Sequence, residues 1–287
     1  MNLTVELARR LPDRLLNALL RLRLNPLLRP GFDWYAARMR NENSVIQRGA
    51  GNGLRFNPGG SNASYLLGTV EPETQHILQL WLRPGMCVYD IGANVGFITV
   101  IAARLVGDSG SVCAFEPVPM LADKAMHNAD LNRLSRVSVH RVALSDQDGE
   151  AVFQTSQNLT MGKLANEESP EPDTGNALVV VKRRLDTVVA AERLRDPDFV
   201  KIDVEGAEAD VLDGATEVLR RARPALLVEL HSTNKAVAER LERLSYVGRL
   251  LGSDESIQTG PPNATVAAVP EERASLLSQI STVWGSQ

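Results

Sequence analysis

The string Val88-Tyr89-Asp90-Ile91-Gly92-Ala93-Asn94-Val95-Gly96-Phe97 decides the fold of this chain. Its first half continues an apolar run over 86–91, the length and composition of a buried strand, and Gly92 ends that run. From 96 to 106 the apolar positions recur as in a helix. Strand, glycine turn and helix in succession turn backbone N–H groups toward a ligand, and Gly92 and Gly96 allow the tight turn and the close approach. Twenty residues past Gly96, Glu116 closes the next apolar run, Cys113-Ala114-Phe115-Glu116-Pro117. A carboxylate there can accept hydrogen bonds from both hydroxyls of a ribose.

The alternation continues on both sides of this string. Helices are predicted over 71–82, 120–132, 207–223 and 235–244. Strands are predicted over 111–115, 137–144, 199–204 and 225–230, with two weaker ones within 246–269. Near-continuous apolar strands alternating with amphipathic helices imply an α/β fold, a parallel sheet covered on both faces. Its ligand belongs at the carboxyl ends of the strands, where the strand order reverses. One stretch breaks the rhythm. Residues 150–155 and 178–186 read as a hairpin around 156–177, whose Glu167, Glu168, Pro170, Glu171, Pro172 and Asp173 suggest a lid or flexible insert.

Two nucleotide classes fit an acid after the second strand. A dinucleotide site wants G-x-G-x-x-G, so that backbone can cradle a pyrophosphate. Here Asn94 stands where the middle glycine would be, and Asp90 puts a carboxylate at the mouth. A carboxylate suits a cation or an amino group and repels phosphate. S-adenosylmethionine offers a sulfonium and an α-ammonium and no phosphate, and is the expected cofactor. An NAD-dependent oxidoreductase is the disfavoured alternative. A non-catalytic scaffold that binds the same donor is the other.

Val88–Phe97, Phe115-Glu116-Pro117, Val142-Ala143-Leu144-Ser145-Asp146 and Val200-Lys201-Ile202-Asp203-Val204-Glu205-Gly206-Ala207-Glu208 resemble the FkbM-type methyltransferases, over roughly residues 65–231. The resemblance implies a class I methyltransferase fold, Rossmann-like, with a mostly parallel seven-stranded sheet. It implies S-adenosyl-L-methionine as donor and a hydroxyl acceptor on a sugar, glycan or secondary metabolite. It further implies that Asp90, Gly92, Asn94 and Gly96 line the methionine end, that Glu116 holds the ribose, and that Ala143 or Asp146 meets the adenine.

Methyl transfer from a sulfonium needs alignment, exclusion of water and, for a hydroxyl, removal of a proton. Asp90, Asp203-Val204-Glu205 and Glu229-Leu230-His231 should converge at the sheet's carboxyl edge. The members of each i, i+2 pair share one face of an extended chain. His231 is the expected general base, because its reference pKa of ~6.5 lets it accept a proton near neutrality. Asp203 is expected to face the methyl group and Glu205 the acceptor. Glu208, early in the next helix, is expected to favour that helix's N-terminus. A divalent ion among Asp203, Glu205, Glu229 and His231 is chemically conceivable, but no metal is expected. His76, His127, His140, Cys87 and Cys113 read as structural.

Composition narrows the class. The 287 residues carry 31 basic and 35 acidic side chains, a net charge of −4. Residues 1–40 hold eight Arg against Glu6, Asp13 and Asp33, a charge of +5, which leaves −9 for the rest. That balance and the 5 % aromatic content exclude a nucleic-acid partner. Two cysteines exclude a disulfide framework. No run approaches the ~18 apolar residues of a membrane span, and no secretory leader is evident, so a cytoplasmic setting is expected. The Leu/Arg-rich helical pattern in 1–48 is read as an extension that packs on the domain, mediates a homodimer or touches a membrane surface through 1–30. Oligomeric state is left open. The methyltransferase domain is expected over 49–270 and a helical tail over 271–287.

Overall fold

The structure is a computed structural model that describes residues 42–59, 64–155, 162–164 and 177–280. The Arg/Leu-rich segment 1–40 lies outside the described residues, as does most of 156–177. In chain order, β1 (Ser44–Val45) and β2 (Arg55–Phe56) form a small antiparallel ribbon ahead of helices α1 (Ser64–Leu67) and α2 (Pro72–Trp81). Then follow β3 (Cys87–Ile91), α3 (Phe97–Val106), β4 (Ser111–Phe115), α4 (Pro119–Leu131), β5 (Val137–His140) and β6 (Ala143–Leu144). Next come β7 (Gly149–Thr155), β8 (Gly162–Leu164), β9 (Ala177–Arg183), α5 (Leu185–Glu192), β10 (Phe199–Ile202), α6 (Glu208–Gly214), α7 (Thr216–Ala222) and β11 (Ala225–Glu229). The last elements are α8 (Asn234–Arg243), β12 (Tyr246–Leu250), β13 (Thr265–Pro270) and a 3-10 helix, Glu271–Gln279.

Seven strands make the main sheet in the order β12-β13-β11-β10-β3-β4-β5. β11, β10, β3, β4 and β5 pair in parallel, and β13 runs antiparallel to both neighbours. This is the seven-stranded, mostly parallel, class I methyltransferase sheet expected above. The order reverses between β3 and β10, so the carboxyl ends of these two strands open the crevice in which α/β sheets bind ligands.

The strands are buried on both faces, and side-chain alternation sorts them. Val88, Val112, Phe199 and Leu227 pack with Ile77 and Trp81 of α2 and Ile98 and Ile101 of α3. Tyr89, Phe115, Val200 and Val228 pack on the opposite face with Val188, Val211, Leu212 and Leu241. Ile46 is completely buried in the first of these clusters, so the chain just before residue 49 already belongs to the core.

The structure corrects three sequence expectations and extends a fourth. The single strand over 137–144 is two: β5 stays in the main sheet, while β6 leaves it to pair with β9 in a four-stranded sheet, β6-β9-β7-β8. The hairpin of β7 and β9 is present, with β8 added on the edge of β7. Leu185 and Asp186, read as the end of the strand over 178–186, begin α5 instead. The helix over 207–223 breaks at Ala215. Gly214 sits so close to the chain leaving β6 that a Cβ would lie 1.9 Å from the Ser145 carbonyl oxygen.

Helix α7 begins without a cap of its own. Asp186 supplies one from α5, accepting hydrogen bonds from the backbone N–H groups of Glu217 (3.1 Å) and Val218 (2.9 Å), and it is itself buried. Replacing Asp186 by Ala is expected to destabilise the fold by about 1–2 kcal/mol, because two backbone donors, that of Val218 buried, lose their acceptor. The check is the urea midpoint, which should fall with an unchanged slope.

Candidate functional site

The string that decides the fold builds one wall of the site. Gly92 and Ala93 donate backbone N–H to the Phe115 carbonyl at 3.0 and 3.1 Å, tying the end of β3 to the end of β4. Gly92 takes φ 80°, and a Cβ on it would lie 1.7 Å from the Asp203 carbonyl oxygen. Only glycine permits that approach of the β3 and β10 ends. Gly96 caps α3 at φ 82°, packed against Ala125 of α4. Asn94 occupies the left-handed region at φ 51°, a conformation asparagine tolerates well.

Glu116 is almost fully buried, and its two carboxylate oxygens accept the backbone N–H of Asn94 and Val118, each at 2.9 Å. Burial nonetheless pushes its carboxyl group up to about 7. The amides use one lone pair on each oxygen and leave the others to face the cleft. That cleft opens at the carboxyl ends of β3, β4 and β10, with about 670 Å³ of open space counting its mouth. Gly92, Asn94 and Glu116 line it with Ala143 of β6, Phe153 of β7, Asp203, Val204 and Glu205.

The other end of the site is a knot of charge. Register sets Lys201 of β10 opposite Asp90 of β3, and both are buried. The Lys201 ammonium lies 2.9 Å from Asp203 Oδ2 and 4.0 Å from Asp90 Oδ1. Thr99 of α3 donates to Asp90 Oδ2 at 2.5 Å. Burial opposes the charge on Lys201, yet Asp203, Glu71 and Asp90 together hold its pKa well above the ordinary lysine value. Burial raises Asp90 and Glu71, and burial with the neighbouring Asp203 and Glu71 pushes Glu229 up to about 7. Glu71, Asp90, Asp203 and Glu229 thus gather around the one ammonium of Lys201, a donor set that fits a cationic ligand.

His231, just past β11, closes the site. Its Nδ1 is 2.9 Å from Oε1 of Glu208, and its Nε2 points toward Glu205 Oε2 (3.5 Å) and Asp203 Oδ1 (3.9 Å). Glu208 is fully buried. It also accepts from Thr233 Oγ1 at 2.6 Å and from the Gly206 N–H at 2.9 Å. Burial works against the Glu208 carboxylate, but these bonds win and hold its pKa below the usual value. The bond to Glu208 raises His231 to about 9, so imidazolium is the resting form at neutral pH. Glu205 and Ser232 both have positive φ, 55° and 65°, so the backbone is strained on either side of the histidine. One ligand atom each of Asp203, Glu205 and His231 lies within 4.8 Å of the others, a spacing that three protein ligands of a divalent cation would share.

The residues singled out in the sequence therefore separate. Gly92, Asn94, Glu116, Ala143, Asp203 and Glu205 line the cleft. Asp90 and His231 stand around it, and Gly96 supports it from the start of α3. Asp146 is not among the lining residues: it accepts from Ser145 Oγ at 3.1 Å and from Gln147 Nε2 at 3.3 Å. Two residues passed over in the sequence, Lys201 and Glu71, matter here, and Glu208 has a further role. Lys201 was hidden inside an apolar strand pattern, although a lysine in a buried strand is itself a signal. Glu208 is the acid that orients His231, more than a favourable charge at a helix start. Glu71 faces the charge knot from the start of α2.

Residues 90–251 match the family described as Methyltransferase FkbM domain, which is more than half of the chain. Three relatives are similar to it. Hexuronic acid methyltransferase AglP of Haloferax volcanii is 28 % identical, covering 50 % of this chain and 56 % of that protein. 31-O-demethyl-FK506 methyltransferase FkbM of Streptomyces tacrolimicus is 27 % identical, covering 55 % and 70 %. 2-O-methyltransferase NoeI of Sinorhizobium fredii is 28 % identical, covering 52 % and 65 %. The first two curated relatives are matched over 57 % and 56 % of their own length. With the motif, the sheet order and the buried acid after β4 in place, the chain belongs to the FkbM methyltransferase domain family.

Proposed function

We propose that this chain is an S-adenosylmethionine-dependent O-methyltransferase that acts on a hydroxyl of a sugar, glycan or secondary metabolite. The observation that carries this reading is the polarity of the cleft. Glu116 stands at one end as a ribose acceptor. Asp203 and Glu205 line the other, with Glu71, Asp90 and Glu229 gathered near the buried Lys201 behind them. A pyrophosphate would meet that end unfavourably, and a sulfonium with an α-ammonium meets it well. The names of the relatives, a hexuronic acid methyltransferase and two O-methyltransferases, favour an oxygen on a sugar or metabolite as acceptor.

The donor supplies an electrophilic methyl group whose departure needs no acid. Glu116 holds the ribose with the lone pairs that Asn94 and Val118 leave free, and Ala143 of β6 contacts the adenine. Phe153, Val204 and Leu144 give the cleft apolar walls that exclude water. Glu205, reached from the open side, orients the acceptor hydroxyl. Nε2 of His231 takes its proton, and Glu208 keeps Nδ1 protonated and aligned, the role a buried acid plays toward a catalytic histidine.

Two measurements test the reading. Isothermal titration with S-adenosylhomocysteine should show micromolar binding, and Glu116→Ala should weaken it about ten- to a hundredfold through loss of charge-assisted hydrogen bonds. Absence of binding at ~100 μM, far above the micromolar range, would remove the donor. The second is the pH dependence of methyl transfer. Because His231 must lose its proton to act, the rate should climb with pH toward about 9. Glu208→Gln should move that climb down toward ~6.5, and His231→Ala should abolish it. The same pair contributes to stability with a defined sign. Its pKa is raised in the fold, so its contribution is complete below ~6.5 and fades as pH rises through about 9.

A further inference from the structure

The imidazole and two carboxylates that meet past the ends of β10 and β11 are spaced as metal ligands. Nε2 of His231 is 3.5 Å from Glu205 Oε2 and 3.9 Å from Asp203 Oδ1, and one ligand atom of each residue lies within 4.8 Å of the others. Zinc bonds imidazole nitrogen and carboxylate oxygen at about 2.0–2.2 Å, so tetrahedral ligand atoms stand about 3.3–3.6 Å apart. The pair of His231 and Glu205 already has that separation, and Asp203 is slightly outside it. Asp203 bonds Lys201 through Oδ2 at 2.9 Å, which leaves Oδ1 as the oxygen turned to His231. On the far side of the ring, Glu208 holds Nδ1 at 2.9 Å and is itself fully buried, fixed by Thr233 Oγ1 and the Gly206 N–H. A carboxylate on the second ring nitrogen orients a metal-binding histidine and raises its basicity. Glu205 at φ 55° and Ser232 at φ 65° hold the ligands on strained backbone before an ion arrives. Asp203 and Glu205 line the cleft, which gives an ion its way in.

We propose that Asp203, Glu205 and His231 form a zinc site. Residue types alone suggest no metal here; the distances and the buried acid behind the histidine argue for one. An imidazole ligand favours zinc over magnesium and calcium, which take oxygen ligands in larger number. Two carboxylates balance the two charges of the ion, and three protein ligands leave its fourth position open, unlike a closed structural zinc site. Zinc takes the Nε2 lone pair, and the proton carried there is released to solvent. Uptake of the ion needs neither donor nor acceptor. Its consequence rests on the reading above: the same lone pair would remove the acceptor's proton, so zinc and methyl transfer compete for one nitrogen.

The test is isothermal titration of zinc chloride into the full chain, freed of metal with a chelator beforehand. The wild type should take up zinc at micromolar concentration, and magnesium chloride should bind at least about tenfold more weakly. Glu205→Gln and His231→Ala should each weaken zinc by about tenfold or more. Glu208→Gln, which leaves all three ligands in place, should weaken it about ten- to a hundredfold through the histidine. His127→Ala, away from the site, should bind as the wild type does. Circular dichroism confirms that each variant is folded. The inference is overturned if the wild type takes up no zinc at ~100 μM, if folded Glu205→Gln and His231→Ala both bind zinc as the wild type does, or if magnesium binds as tightly. A chain that binds zinc but not S-adenosylhomocysteine overturns the donor reading instead and leaves the zinc site standing.

Discussion

Lys201 is set opposite Asp90 by the register of β10 on β3, and its ammonium reaches forward 2.9 Å to Asp203. Everything at the carboxyl edge is arranged around that buried cation. A lone lysine there would lose its charge to desolvation, and a lone group of carboxylates would lose theirs. Together they keep a polar centre among central strands whose other buried side chains are mainly apolar. Glu71, Asp90, Asp203 and Glu229 converge from α2, β3, the end of β10 and β11, so four segments share one electrostatic problem. Moving any one of them changes the charge felt by the rest. This is the sense in which a buried ionic group specifies an arrangement, whatever its net contribution to stability.

The backbone makes the same point in steric terms. Gly92 and the Asp203 carbonyl approach so closely that β3 and β10 end almost in contact. Non-glycine residues with positive φ follow three successive strand ends, at Asn94, Glu205 and Ser232. Strained turns at the ends of rigid strands hold side chains in place with little freedom to lose when a ligand arrives. Asn128, fully buried on α4, braces this rim by donating to the carbonyls of Val95 at 2.8 Å and Asn57 at 3.0 Å.

Much of this was legible in the chain. The run from Val88 to Phe97 and Glu116 beyond it announced a strand, a tight turn, a helix and an acid at the end of the next strand, because local spacing carries those features. The parallel sheet followed from apolar runs that do not alternate. What local pattern could not carry was partnership across long separations. Glu208 binds His231 23 residues away, and Asp186 caps a helix that starts 30 residues later. The stretch over 137–144 looked continuous because both halves are extended, although they pair in different sheets. His231 illustrates the limit most clearly. Its residue type pointed to a proton acceptor near neutrality, and its neighbour Glu208 moves that chemistry to about 9.

The departure of β6 from the main sheet has a consequence for how such a protein diversifies. Asn94, Glu116 and Asp203 belong to the parallel sheet and its strand ends, whereas Ala143, Leu144 and Phe153 on the facing wall belong to the four-stranded sheet. The chain joins these walls through the two-residue strand β6 between β5 and β7, and again through α5 between β9 and β10. Substitutions or insertions in the smaller sheet can therefore reshape one side of the cleft while the hydrogen-bond ladder that holds the other side stays intact. One half of the pocket is free to evolve while the other keeps its chemistry.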